Sequence, residues 1–368
     1  LPPHPDDLAL FGTLISHLEH ADDLLLISSS AEGLQRAMNL FLHWCRSNFL
    51  IINALKSKVC IHGPHAGRLP RFAFGDKEVE IFTKYTYLGI TFQTGTPSLF
   101  GEHYKTKANS ALTTAHAILH VESMIGTLSP AMGKDLYSAR IDPQLTQGCE
   151  IMPDATHLHI ERLLAVQKLF IRRLLGVYAR SLVAPLFTET GIWALQYRRL
   201  ELTLRYLKYL LQSAPNMLVH AAIRDNLALA SAGQKSWTSD LKSIDELIAS
   251  VKPTMIESLE QELQGTFTKS YLMCYRIEKQ PDGNPTYVVF GFRHYLKIQN
   301  AKHRRSLTRL LFSCHDLAVE RLSWKTRYTA STPREQRTCR FGCSEIETPE
   351  HALLRCQRAE EVCRLRSQ

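Results

Sequence analysis

The residues best suited to chemistry stand near opposite ends of the 368-residue chain. The first group is Asp22-Asp23, set between two strand-like runs, Leu14-Ile15-Ser16-His17-Leu18 and Leu24-Leu25-Leu26-Ile27-Ser28. Glu19-His20-Ala21 completes a polar turn between them. A two-metal phosphoryl-transfer site needs carboxylates that project together toward ions about 3.5–4 Å apart, and a hairpin tip projects them so. Magnesium takes oxygen ligands and keeps several waters, so few carboxylates suffice. The plainer reading of the pair is ordinary turn chemistry. The second group is Cys339-x3-Cys343-x7-His351-x4-Cys356. Zinc takes four such ligands in a tetrahedron. A close Cys pair supplies two of them from a knuckle turn that Gly342 helps to close. Thr348-Pro349-Glu350 is a natural helix start with proline in the first turn, which brings His351 and Cys356 within reach of one short helix and its end. Four protein ligands make a closed, structural site. The segment is too small and polar to have a core, so bound metal would supply its folding energy. The plainer reading is four incidental surface residues. Cys363 is a spare thiol or a minor alternative to Cys356.

The elements that must position these groups differ along the chain. Residues 1–95 read as mixed α/β. Ser30 can cap a helix with Glu32 in its first turn, and Leu34, Ala37, Met38, Phe41, Trp44 and Cys45 follow helical spacing. Leu50-Ile51-Ile52-Asn53 and Val59-Cys60-Ile61 read as strands. A hairpin turns at Gly75-Asp76-Lys77 between 71–74 and 79–81, and 87–92 reads as a last strand. After Pro97 the pattern is mostly helical to about residue 324, with clear helices over 160–175, 194–211 and 302–324. Residues 213–256 read as shorter helices and connections around Pro215 and Pro253.

The net charge of +9 is concentrated: residues 291–340 alone carry that excess, while the first fifty residues lean acidic. That distribution suggests a polyanion partner at one end and a metal site at the other, or simply a solvated basic face. A basic helix over 293–309 holds Arg293, Lys297, Lys302, Arg304, Arg305 and Arg309 without an acid, interleaved with His294, Tyr295 and His303. Such a stripe can neutralise phosphates and stack on bases. Alternatively, it is an amphipathic helix packing Leu307, Leu310, Leu311, Cys314 and Leu317 inward. Cys45, Cys60, Cys149, Cys274 and Cys314 lie among apolar residues and read as buried reduced thiols. Nine cysteines without a signal peptide argue for an intracellular, reducing compartment. No run of apolar residues is long enough to span a membrane. His4-Pro5-Asp6-Asp7 resembles a zinc-dependent deacetylase signature, but Leu8 follows it and no buried strand precedes it; a proline-rich loop is the reading taken.

Taken in order, His20-Ala21-Asp22-Asp23, the helix after it, Asn53-Ala54-Leu55-Lys56-Ser57-Lys58 and Tyr87-Leu88-Gly89-Ile90 resemble the palm of reverse transcriptases from non-LTR (LINE-type) retrotransposons. The Cys-Cys-His-Cys element and His303-Arg304-Arg305-Ser306-Leu307-Thr308-Arg309 before it resemble the C-terminal end of the same proteins. The resemblance implies an α+β fold. Its parts would be the C-terminal part of a palm, an antiparallel sheet with a helix (1–95), a helical thumb-like region (96–190), a helical connection carrying the basic helix (191–330) and a zinc-binding tail (331–368).

The activity implied is RNA-directed DNA polymerisation, a nucleotidyl transfer. Asp22 would be a direct Mg2+ ligand and Asp23 its neighbour. Lys56 or Lys58 would lie near the nucleotide's phosphates, unless that segment is only a solvated loop. Tyr87, Leu88 and Gly89 would form a strand gripping the primer end, unless it is an ordinary edge strand. Partners would be an RNA template, a DNA primer or target and deoxynucleotides, in the nucleus or cytoplasm, with the nucleus expected for integration. His20 departs from the family's aromatic residue. No counterpart of the family's upstream palm aspartate or fingers precedes Leu1, so missing upstream parts and no polymerisation by this chain alone are expected. The alternative is a non-catalytic nucleic-acid-binding zinc protein derived from such an element.

Overall fold

The computed structural model describes residues 1–63, 69–96, 98–152, 157–233, 244–265, 271–273, 277–279, 285–325 and 330–367. The expected boundary at Pro97 and the thiol of Cys274 lie outside them. The described chain is mostly helical, with small antiparallel hairpins and a C-terminal Cys/His cluster, an α+β arrangement. No helix among the described residues is long and apolar enough to cross a membrane.

The N-terminal stretch is built from hairpins around one helix. β1 (Leu8–Leu10) pairs β2 (Thr13–Ile15), and β3 (His17–His20) pairs β4 (Asp23–Leu26). Helix α1 (Ala31–Ser47) follows, then β5 (Phe72–Phe74) with β6 (Lys77–Val79) and β7 (Lys84–Tyr87) with β8 (Ile90–Gln93). The helices after it are α2 (Gly101–His120), α3 (Glu122–Ile125), α4 (Pro130–Leu136), α5 (Asp142–Thr146), α6 (His157–Leu175), α7 (Ala184–Thr190), α8 (Leu195–Leu211), α9 (Leu218–Ser231) and α10 (Ile244–Gly265). A last hairpin joins β9 (Ile277–Lys279) to β10 (Pro285–Tyr287), and α11 (Ala301–Leu311), α12 (Ala318–Arg321) and α13 (Glu360–Arg366) complete the chain.

Two compact units result. One comprises Leu1–Lys107, Gln147–Ile160 and Arg199–Ala249. Here α1 starts where the sequence predicts, because the Ser30 hydroxyl accepts from the Gly33 N–H at 2.9 Å. Met38 on α1 packs with Val59, Phe72 and Val79, and Leu26 of β4 and Leu34 join them. That small core fixes β4 against the helix. The loop at His4-Pro5-Asp6-Asp7 is tied to the same cap: the Ser30 hydroxyl donates to the Asp6 carboxylate at 2.7 Å, and the Ser29 N–H to the Asp6 carbonyl.

Several expected strands take another form. Residues 50–53 are not a strand but an irregular loop with Ile51 94% exposed, because among the described residues no partner strand lies alongside to cover an apolar run. The 59–61 run is reduced to one parallel bridge, Val59 to Ile81. Residues 87–92 are not one strand either: Leu88 and Gly89, at φ 47° and 80°, form the two-residue turn between β7 and β8. Positive φ at both central positions matches the twist of the flanking strands, and a glycine at the second lowers the strain. The hairpins also do not merge into one palm-like sheet; each described sheet has two strands. Strands of three or four residues offer few ladder bonds with which to hold a further neighbour.

The other unit comprises Ala108–Thr146, Glu161–Arg198 and Ser250–Gln368. Its core forms along α6, where Leu163, Phe170, Ile171 and Leu174 share one face by helical spacing. Phe170 meets Tyr137 at a centroid distance of 5.8 Å, and Gln167 donates to the Tyr137 hydroxyl at 2.7 Å. Ser129 caps α4 and Pro130 occupies its first turn. Gly133 on α4 lies against Leu174 of α6 so closely that a Cβ would meet its methyl carbon at 2.2 Å. The helix expected over 302–324 is two helices instead. It breaks after Leu311, where Ser313 has φ 48°, a conformation no helix continues through.

Candidate functional site

The C-terminal tail assembles around a knuckle. An antiparallel bridge pairs Thr338 with Ile346, and the Cys339 N–H donates to the Glu345 carbonyl at 2.9 Å. Gly342, at φ 80°, returns the chain so that Cys339 and Cys343 face the same point. Thr348 accepts at its hydroxyl from the His351 N–H at 3.1 Å and so starts the turn His351–Arg355, as its position before Pro349 predicts. That turn is π-helical, and the Cys356 N–H closes it on the His351 carbonyl at 2.7 Å. His351 and Cys356 thus end side by side.

The four ligand atoms lie within 4.8 Å of one another. Cys356 Sγ is 3.8 Å from both Cys339 Sγ and Cys343 Sγ, and Cys343 Sγ is 3.1 Å from His351 Nε2. Two thiolates at about 2.3 Å from one zinc, at the tetrahedral angle, stand about 3.8 Å apart. The sulfurs are too far apart for disulfides, and the spacing fits a metal ion such as zinc. The charges favour a cation as well. Cys339, then burial and Cys356, push the Cys343 thiol up to about 11. Burial raises Cys356 too, but N–H donors from Arg358 and Ala359 and the neighbouring thiols hold it below its ordinary value. Three thiolates at this spacing would repel one another, and a divalent ion among them would relieve that repulsion. Cys363 is not a ligand: its thiol donates to the Cys356 carbonyl at 3.3 Å.

One important residue escaped sequence reasoning. Glu347 is fully buried; it accepts from Arg340 on the knuckle and from the Ala318 N–H at the start of α12. Arg337 reinforces the joint by donating to the Val319 carbonyl at 2.8 Å. An acid amid Arg and Cys reads as a surface charge until the fold brings α12 to it.

The carboxylate pair lies at the tip of the β3–β4 hairpin, with His20 paired to Asp23 and both aspartates exposed. Ala21, at φ 53°, makes the sharp turn. Tyr85 on β7 has its phenol pKa raised by burial, then by the charge on Asp23, with Cys60 and Tyr87 adding to it. The tip carboxylate is therefore within electrostatic range of the β7–β8 hairpin, whose turn carries Leu88 and Gly89 beside Tyr87. Asn53 organises the next segment: its side chain accepts from the Lys56 N–H at 3.2 Å, and its carbonyl accepts from the Ser57 hydroxyl. Lys56 is exposed, and the Lys58 ammonium lies 3.8 Å from the centre of the Phe82 ring. Among the described residues, the tail cluster alone gathers three or more His, Cys, Asp or Glu groups as a metal site would; no third such group joins Asp22 and Asp23.

The basic segment is not one helix. Arg293 precedes a single 3-10 turn, His294–Lys297, and α11 begins only at Ala301, capped by Asn300. The face of α11 that is buried carries Arg304 and Thr308, not Leu307 and Leu310, which are half-buried. Arg293 is buried against Glu189 at 3.3 Å, and Arg304 donates to the Ile298 carbonyl. Arg309 donates to the Gly176 carbonyl at 2.8 Å and covers the Tyr178 ring; Arg305 pairs with Glu122 at 3.6 Å. Lys297 and Lys302 are exposed, with His294 and His303 beside them. Long arginine stems bury readily once carbonyls satisfy the head group, and spacing alone does not reveal this.

No protein-family model and no curated protein matches this chain.

Proposed function

We propose that the chain is the C-terminal part of an RNA-directed DNA polymerase of the non-LTR retrotransposon kind, with a structural zinc site in its tail. The observation that carries this reading is the Asp22-Asp23 hairpin tip, exposed and within electrostatic range of β7. Two carboxylates fit part of the ligand set of a magnesium pair. Bound magnesium would neutralise phosphate oxygens and favour in-line attack by a primer 3′-hydroxyl on a nucleotide's α-phosphate. The chain's own part is positional. The core on Met38 holds β4, Ala21 turns the tip outward, and Asp22 and Asp23 present their oxygens. Lys56, exposed on its Asn53-organised turn, supplies positive charge for phosphates, and the β7–β8 turn offers backbone at Leu88-Gly89 for a primer end. The tail's four ligands would fill a tetrahedron around a bound zinc and leave it no open position for catalysis.

A second reading is favoured by one observation: no third acid, His or Cys joins the tip among the described residues. On that reading the chain holds nucleic acid and does no chemistry. Iron-directed scission separates the two. The full chain is given Fe2+, ascorbate, primer–template and deoxynucleotide. Backbone cuts next to residues 22–23 and 85–89, suppressed by excess Mg2+ and by D22N/D23N, support the polymerase reading. Nucleic-acid binding without cuts at the tip supports the second.

A further inference from the structure

Next to the metal-binding tail is a cleft of about 490 Å3 whose lining mixes an indole, guanidinium groups and apolar side chains. That volume falls in the range that accommodates one small ligand or one nucleotide unit. Its apolar lining includes Trp324, Leu182 and Pro349, and Arg180, Arg334 and Arg337 line it as well. The three arginines differ in what they already do. Arg337 is fixed by the Thr332 and Val319 carbonyls, each at 2.8 Å. Arg180 and Arg334 are exposed, and neither side chain has a partner among the described residues. Trp324 is half-buried and meets Tyr178 edge to face, with centroids 6.1 Å apart at 87°. The Arg309 guanidinium over Tyr178 braces that ring in turn. The indole is therefore a half-buried apolar plate, with two cations beside it that have no partner among the described residues. Two acids also reach the wall, Glu320 and Glu350, and Glu350 is paired with Arg355.

We infer that this cleft seats one unpaired nucleotide of a single-stranded nucleic acid, its base against Trp324 and its flanking phosphates on Arg180 and Arg334. A flat aromatic plate accepts any base, because every base has a π face. Guanidinium groups bind phosphate oxygens in their own plane. A base within a duplex is already stacked and paired and cannot enter. The excess of positive charge over residues 291–340 favours a strand of phosphates over a neutral partner. This inference rests on the nucleic-acid part of the proposed function and not on Asp22 or Asp23.

The test is fluorescence anisotropy of a labelled twelve-nucleotide oligouridylate with the full chain, across a salt series. W324A is expected to weaken binding about tenfold, while W324F keeps most of it. R180Q/R334Q is expected to lower the slope of log K against log salt by about 1.4, two phosphates' worth for a single strand. The assay contains no divalent metal, primer–template or deoxynucleotide, so it reads the cleft apart from Asp22 and Asp23, and a failed polymerase test leaves this result standing. Each variant is first shown to melt at the parent temperature. A variant that does not fold is replaced by photocrosslinking of a 5-iodouridine oligomer to the parent chain, with the adduct expected on Trp324. Four outcomes overturn the inference: unchanged affinity in folded W324A, or adducts elsewhere when crosslinking is used; equal affinity for a duplex of the same length; uridine monophosphate binding as tightly as the oligomer; or poly-glutamate competing as well as the oligomer.

Discussion

The tail and the hairpin tip are both short polar segments rich in metal-binding side chains, yet the chain treats them in opposite ways. In the tail, four ligand atoms gather within 4.8 Å, and Cys339 and Cys356 are buried. At the tip, two carboxylates remain exposed, and no third His, Cys, Asp or Glu joins them among the described residues. The difference lies in what holds each segment. The tail has a core of only Cys339, Cys356 and Ala359 with Cys343 and Val362 against it, so its ligands are also its interior. The tip stands on a hairpin whose own packing, through Leu26 and Met38, does not involve the aspartates. One site is built by its ligands; the other is built without them and displays them.

The largest effect expected from this contrast is loss of metal. A strong chelator at neutral pH should remove one zinc per chain and erase hydrogen-exchange protection over residues 338–366, leaving β3–β4 unchanged. Structural zinc in such small modules contributes about 10 kcal/mol or more. Cys356→Ser should do the same without chelator. Protection that persists in metal-free protein would mean that the tail holds itself together.

Next in size is Glu347, which joins the tail to α12 without touching the metal question directly. Its carboxylate is fully buried, with Arg340 and the Ala318 N–H as partners. Glu347→Gln keeps the shape and removes the charge, so it should cost about 2 kcal/mol, the range for a buried charge-assisted bond. Urea titration followed by exchange in the tail would register it. A neutral result would show that the knuckle and the metal alone fix the tail.

How much of this was legible follows the same divide. Cys339, Cys343, His351 and Cys356 could be read because metal ligands are few in kind and their turns are local. Asp22-Asp23 could be read as a tip because a polar break between two apolar runs has few other solutions. The 50–53 run could not: β propensity says that a strand is possible, not that a neighbour will pair with it, and here none does. Arg293 and Arg304 misled for a different reason. Charge implies surface only when no buried acceptor exists, and Glu189 and the Ile298 carbonyl are brought to them by the fold. The Leu88-Gly89 turn was hidden inside an apolar run, although Gly89 was its one visible signal.

A smaller effect should come from acid, and it belongs to the unit that carries the tip. His103 is buried; the Thr91 N–H donates to its Nδ1 at 3.2 Å, so its Nε2 carries the proton and donates to the Gln147 carbonyl. Burial lowers its pKa, against the pull of that carbonyl, with Lys107 and Arg199 lowering it further. The unfolded chain takes up a proton near the ordinary pKa of about 6.5 while the folded one does not. Stability is thus complete above that pH and is lost as pH falls through the folded value. The slope is at most about 1.4 kcal/mol per pH unit. Urea midpoints at pH 7.5 and 5.5 should separate the parent chain from His103→Gln, which lacks this titration. Equal pH sensitivity in both would assign the acid loss to other histidines.

The smallest stability effect should come from the residues most tied to the proposed chemistry. Asp22→Asn with Asp23→Asn removes two adjacent exposed charges from a turn where both residues tolerate asparagine. Surface changes of this kind move stability by under about 0.5 kcal/mol, and relief of like-charge repulsion pushes toward stabilisation. The hairpin core on Leu26 and Met38 is untouched. The double variant should therefore melt with the parent chain, or slightly above it, while losing iron-directed scission at the tip. That combination is the signature of a displayed site: function goes and fold stays, the reverse of the outcome expected in the tail, where loss of a ligand should cost the fold. A marked loss of stability in the double variant would show that the aspartates hold the turn, and the tip would then be structural like the tail.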